Sequence, residues 1–131
     1  HVTAEDRDRM MLTSTLAGMA ITHAGTTLPH GLSYFLTYEM HIPHGQAVGY
    51  FQPGYVAAAA PETQAKVLEL IGCKDIAEFA NLIHTLLGPL EIAPDMSIPP
   101  LKVSWANERK LKPVPYEVTE ETLRKFFEMA M

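Results

Sequence analysis

PHGLSYFLTYEMHIPHGQAV, residues 29–48, contains the triplet Pro-His-Gly twice, with His30 and His44 fourteen positions apart. On one continuous helix that separation is about 21 Å along the axis, too far for two side chains to share anything. Pro43 prevents one continuous helix. It disfavours the α conformation at Ile42, so a helix begun at Pro29, with Leu32, Phe35 and Leu36 on helical spacing, ends earlier. With that end near Leu36, His30 lies about 9 Å back along the axis. The segment Thr37–Ile42 spans up to about 20 Å when extended, enough to return. A second helix opened by Pro43 then sets His44 beside His30. Pro29 and Pro43 both suit a first helical turn, where the missing N–H costs nothing. Gly31 and Gly45 keep bulk away from the backbone at both places. Neutral imidazole is the commonest metal ligand. The spacing therefore allows a shared ion, and equally two helix-start histidines bonded to backbone groups.

Upstream, the stretch from Asp6 to about His23 carries Met10, Met11, Leu12, Leu16, Ala17, Met19, Ala20 and Ile21. It is apolar nearly all round, the pattern of a buried helix, and its methionines read as core. Gly25 is its stop. Downstream, the Pro43 helix is expected to run through Ala47, Val48 and Phe51 to Ala57–Ala60, kinked at Pro53-Gly54. Pro61 opens another helix, with Ala65, Leu68 and Ile71 inward and Gly72 as its end. Asp75 and Glu78 form a capping box. Behind it, Ile76, Phe79, Ala80, Ile83, Leu86 and Leu87 make an amphipathic stripe, closed by Gly88-Pro89. Residues 92–117 hold five of the ten prolines and read as a Pro-rich extended connection with one turn near Trp105. The last helix has Thr119 as its cap and Glu120 and Glu121 at the positive end of its dipole. Val118 staples to Leu123, and Leu123, Phe126, Phe127 and Ala130 face the core. No sustained alternating pattern occurs. The expected fold is all-α, a helical bundle of five or six helices.

The 131 residues suit one domain, and a hydrophobic content of 47% supplies a core. A net charge of −5 offers no basic footprint for nucleic acid or an anionic membrane. No apolar run approaches the roughly 20 residues of a membrane span. One cysteine, Cys73, cannot form an internal disulfide and reads as a partly buried, inert thiol. A reducing, cytoplasmic compartment is expected on these grounds. The chain opens on His1 with helical patterning almost at once, as expected of a piece of a longer protein and equally of a processed or tagged chain. The glycines form neither G-x-G-x-x-G nor a P-loop, so no phosphate cradle is visible. HExxH, CxxC and G-x-S-x-G are absent.

LAGMAITHAGTTLPHG (residues 16–31) followed by PHGQAV (residues 43–48) resembles the iron-containing (group III) alcohol dehydrogenases. Their pattern is an AGMAF-type helix, a His, and a second His in a PHG-type triplet fourteen positions later. The resemblance implies the C-terminal all-helical metal-binding domain of an enzyme whose α/β dinucleotide-binding domain comes first. It implies iron or zinc held by one Asp and three His, of which His30 and His44 match the last two. The Asp and the first His would lie upstream of this chain. It also implies NAD or NADP, bound mainly by that preceding domain, and interconversion of a small alcohol with its aldehyde or ketone. The full-length protein is expected to be a homo-oligomer, and this segment alone inactive.

Tyr34 stands where many members have a further His, four residues after the first ligand and near the place where substrate and nicotinamide meet. It is the candidate catalytic residue. Phenol donates and accepts hydrogen bonds, but a pKa of about 10 makes it a poorer proton carrier than imidazole at neutral pH. Ile21 stands where relatives often have Phe near the nicotinamide, and is the candidate cofactor contact. His23 is a weaker candidate for the same cleft. His41 is expected to be solvated, and His84 to lie at the surface or its boundary. HGQAV also resembles the HGEAV-type segment of dehydroquinate synthases, a related metal enzyme; AGMAITHAG favours the dehydrogenases. A non-catalytic helical module with structural histidines is the remaining alternative.

Overall fold

A computed structural model of the chain describes residues 1–92 and 108–131. The described residues form eight helical segments and no strand. In order they are α1 (Ala4–Ala24), α2 (Leu28–Glu39), α3 (His44–Tyr50), α4 (Gln52–Ala57), α5 (Pro61–Ile71), α6 (Ile76–Leu87), α7 (Glu108–Leu111) and α8 (Glu120–Ala130). The fold is all-α, as expected. None of the described helices is long and apolar enough to cross a membrane.

The core explains how α2 and α3 are held. Leu28, Leu32, Phe35 and Leu36 of α2 close on Ala47, Tyr50 and Phe51 of the following segment and on Leu123, Phe126, Phe127 and Ala130 of α8. Leu28, Leu32 and Leu36 are fully buried, and burying each such side chain contributes about 1.5–3 kcal/mol. A smaller cluster joins Val56, Leu68 and Phe79 of α4, α5 and α6. Polar ties between elements reinforce this packing. The Tyr50 hydroxyl donates to the Leu87 carbonyl at 3.1 Å, and the Tyr116 hydroxyl to the Tyr55 carbonyl at 3.0 Å. The His84 Nε2–H donates to the Met129 carbonyl at 3.1 Å, placing His84 at the boundary between α6 and α8. Cys73 is half-buried, as read.

Helix ends follow the local chemistry. Thr119 caps α8 by accepting from the Thr122 N–H at 3.2 Å, and the four inward residues are those read from the sequence. Val118 packs against the same cluster. Gly72, at φ 82°, ends α5 in the left-handed region that favours glycine. Asp75 caps α6 through the Glu78 N–H at 2.8 Å, but the Glu78 carboxylate reaches the Lys74 N–H at 2.7 Å rather than that of Asp75. The return bond of the capping box is displaced by one residue.

Four expectations need correction. First, α1 is not buried: none of its residues is, and Met10 and Met11 are 69% and 72% exposed. The Thr3–Asp6 capping box and back-bonding of Thr13, Thr15 and Thr22 to the carbonyls four residues earlier hold it locally. An apolar surface is buried only when another element covers it, and none of the described elements does so. Second, the Pro43 helix breaks at Phe51 into α3 and α4 instead of kinking, because Pro53 begins a new first turn. The segment count rises accordingly. Third, Ala65, Ile71 and Leu86 face outward; only Leu68 of α5 and Phe79 of α6 are fully inside. These helices cover a small cluster, so the buried stripe is narrower than the apolar one. Fourth, Glu108–Leu111 is helical within the stretch read as extended. The turn expected near Trp105 lies outside the described residues.

Candidate metal centre

Helix α2 runs three residues beyond the expected end, to Glu39. The reversal is therefore shorter than the six residues expected. Met40 and Ile42 both donate to the Leu36 carbonyl at 3.2 Å, and His41 adopts φ 56° between them. His is among the few non-glycine residues enriched in that left-handed region. Pro43 then caps α3, its carbonyl accepting from the Ala47 N–H at 3.0 Å. His41 itself is exposed, as expected.

This reversal brings the two Pro-His-Gly triplets together. The Nδ1 of His30 lies 3.2 Å from the Nε2 of His44, with ring centroids 5.2 Å apart. His30 is half-buried and His44 exposed, so the pair opens to solvent on one side. Two nitrogens sharing a tetrahedral ion at about 2.0–2.1 Å stand roughly 3.3 Å apart. The observed separation matches that edge. Among the described residues no third His, Cys, Asp or Glu joins them.

Burial, then the neighbouring His44, then the Lys110 ammonium all hold His30 below the ordinary imidazole value of 6.5. The neutral ring they favour is the form that donates a lone pair.

Tyr34 lies one turn after His30 and stacks on His44, with centroids 5.8 Å apart and planes inclined by 11°. It is 48% exposed. Ile21 is on the last full turn of α1 and exposed, and joins none of these contacts. His23 is exposed, its Nδ1–H donating to the Met19 carbonyl at 2.8 Å.

Two residues at the site were missed in the sequence. Ser33 is fully buried; its Oγ lies 2.8 Å from the His30 carbonyl and 3.2 Å from the Nδ1 of His44. Its signal is a hydroxyl among the otherwise apolar buried residues of α2, three residues after His30. Lys110 of α7 donates to the Thr26 hydroxyl and stands 5.9 Å from the centre of the Tyr34 ring. It sits in the stretch read as extended, where no pattern marks it.

Comparison with known proteins now bears on what the pair belongs to. Residues 2–96 match the sequence model of the Fe-containing alcohol dehydrogenase family, C-terminal. The sulfoacetaldehyde reductase of Bilophila wadsworthia is 33% identical over 107 residues, 72% of this chain and 28% of that protein. The probable alcohol dehydrogenase EutG of Salmonella typhimurium is 46% identical over 41 residues, 31% of this chain and 10% of that protein. The crystal structure of an iron-containing alcohol dehydrogenase from Thermotoga maritima superposes with a TM-score of 0.83 at 29% identity. It covers 98% of this chain and 36% of that one. The chain thus spans about a third of the length of that solved relative. With a family match over most of its length and the same helical architecture, the chain belongs to the Fe-containing alcohol dehydrogenases, an oxidoreductase family, and corresponds to their C-terminal helical part.

Proposed function

We propose that this chain is the metal-holding helical part of an NAD(P)-linked alcohol dehydrogenase that interconverts a small alcohol with its aldehyde or ketone. The observation that carries the reading is the 3.2 Å approach of His30 and His44, a separation that fits two donors on one ion. His30 and His44 are assigned as ligands of iron or zinc, with the remaining donors supplied from the preceding part of the full-length protein. The chemistry such an ion supplies when bound is Lewis-acid stabilisation of a developing alkoxide. The nicotinamide, held mainly by the preceding domain, supplies or accepts the hydride.

The residues of this chain then have separate tasks. His30, on a helix anchored by Leu28 and Leu32, presents its nitrogen from a half-buried position. His44 presents its own from the first turn of α3. Tyr34 covers the face of the His44 ring from a half-exposed position. Ile21 is assigned only an apolar wall toward the nicotinamide. A small aldehyde is the substrate class we assign, in keeping with the sulfoacetaldehyde named for the Bilophila relative. We assign a homo-oligomeric, cytoplasmic enzyme. Membership in the family favours this over a dehydroquinate synthase and over a module with purely structural histidines.

The test is elemental analysis and steady-state reduction of small aldehydes with NADH and NADPH in the full-length protein. His30→Ala and His44→Ala should each lose iron or zinc and most activity. Stoichiometric metal and intact turnover in the doubly substituted protein would refute the assignment.

A further inference from the structure

The hydrogen bonds around Ser33 run in one direction only. A carbonyl cannot donate, so the 2.8 Å contact between Ser33 Oγ and the His30 carbonyl uses the single hydroxyl proton of the serine. The 3.2 Å contact with His44 must then be donated by the ring, from Nδ1–H to Ser33 Oγ. A neutral imidazole carries one N–H, so Nε2 of His44 is left with its lone pair. That nitrogen is the one facing His30. Without an ion the donors close on themselves: His30 Nδ1–H to His44 Nε2, His44 Nδ1–H to Ser33, and Ser33 back to the backbone of His30. An ion held between the rings would take the place of the His30 Nδ1 proton, the neutral ring then carrying its N–H on Nε2.

From this we infer that Ser33 is a positioning residue for the metal site: it fixes His44 in the Nδ1–H tautomer and aims Nε2 at the place where His30 points. The inference rests on His30 and His44 being ligands, but its core, the tautomer, does not need the ion. Ser33 suits the task because it does not move. It is fully buried on a helix whose apolar face, Leu28, Leu32, Phe35 and Leu36, is packed into the core. His44 has no such support of its own: it is exposed, at the start of a seven-residue helix, with no side-chain cap. A rigid hydroxyl on α2 thus supplies to α3 both an angular restraint and a proton acceptor. The partner of a ligating imidazole's second nitrogen orients the ring, and its removal lowers metal affinity about 10–100-fold. Tyr34 complements it from the ring face, restraining tilt where Ser33 restrains rotation.

Two measurements test this. The first is long-range ¹H–¹⁵N correlation of the histidine rings in the metal-free protein, at a pH of about 8, above the ordinary imidazole range. His44 should be in the Nδ1–H form. Ser33→Ala should shift it toward the Nε2–H form, which predominates in free imidazole side chains, and Ser33→Thr should restore the original signals. The second is metal affinity of the full-length protein by competition with a chromophoric chelator. Ser33→Ala should weaken zinc binding about 10–100-fold, with the helical circular dichroism retained. An Nε2–H tautomer in the unsubstituted protein overturns the inference, as does an unchanged tautomer and affinity in Ser33→Ala. If the tautomer is as stated but His30→Ala and His44→Ala leave metal binding intact, the metal assignment falls and the Ser33–His44 relationship stands. If those variants lose metal while Ser33→Ala does not, the metal assignment stands and the role of Ser33 falls.

Discussion

His30 and His44 meet at 3.2 Å because α2 ends at Glu39 and α3 begins at His44, with only Met40–Pro43 between them. The reversal is fixed at both sides. The Leu36 carbonyl takes two N–H groups of the loop, and Pro43 sets the first turn of α3. The histidine pair is thus a product of backbone geometry, and it forms before any ion is considered.

A pair is not a full site. Catalytic zinc centres use about three protein ligands, and among the described residues no third His, Cys, Asp or Glu joins the proposed pair. The isolated 131-residue chain should therefore fold but bind zinc or ferrous ion only weakly. Titration calorimetry checks this. A stoichiometric, submicromolar site that needs both His30 and His44 would show that no upstream donors are required.

Helix α8 was legible in nearly every respect. Thr119, the two glutamates and the Leu123–Phe126–Phe127–Ala130 stripe encode both its start and its buried face locally. The pairing of His30 with His44 was legible for the same reason, since two prolines fix two helix starts. Helix α1 was not. Its apolar pattern says that it calls for cover, but not whether the cover lies among these residues. Ala65, Ile71 and Leu86 were misread because periodicity marks a face without giving its width, which depends on how large a cluster the opposing helices form. Ser33 stayed hidden because a hydroxyl acquires its role only from the ring that packs opposite it, eleven residues away.

The contact between α4 and α8 depends on one glycine. A Cβ built on Gly54 would lie 2.8 Å from the Cα of Phe126 and 2.9 Å from its Cδ1. The nearest obstacle is backbone, so the two helices must separate. Gly54→Ala should cost about 1–3 kcal/mol, the usual range for overpacking. Gly49→Ala meets only the Leu87 Cδ1, at 2.9 Å, the end of a flexible side chain. Thermal unfolding followed by circular dichroism should rank Gly54→Ala well below Gly49→Ala; equal midpoints would contradict the close approach.

Alkaline pH should loosen the connection to α8. Burial, and secondly the neighbouring Tyr55, push the Tyr116 phenol above its ordinary 10.0. Below that value both folded and unfolded chains hold the proton, and the contribution of Tyr116 is complete. As pH rises above it, the unfolded chain releases the proton first, so stability falls. Tyr116→Phe should lose about 0.5–1.5 kcal/mol at neutral pH, from the bond to the Tyr55 carbonyl, and should flatten the decline above pH 10.0. Urea unfolding across that range measures both effects. A decline of the same steepness in Tyr116→Phe would place the alkaline sensitivity elsewhere.

Tyr34 and His44 offer the sharpest contrast in the full-length protein. The phenol ring stacks on His44 with planes inclined by only 11°. Phe keeps that stacking and removes only the hydroxyl, which lies on a half-exposed side chain. A lost neutral hydrogen bond is worth about 0.5–1.5 kcal/mol, so turnover of Tyr34→Phe should fall roughly tenfold at most. On the proposed assignment, His44→Ala removes a donor from the ion and the support of the Tyr34 ring together, and its loss should be far larger, with metal content reduced. Were Tyr34 the proton carrier in place of the histidine found in many relatives, Tyr34→Phe would lose about 10²–10⁴-fold, the range of general acid–base catalysis. Steady-state rates with metal content measured for both variants separate the two cases. A loss in Tyr34→Phe above about a hundredfold with the metal retained would make Tyr34 a catalytic residue rather than a packing one.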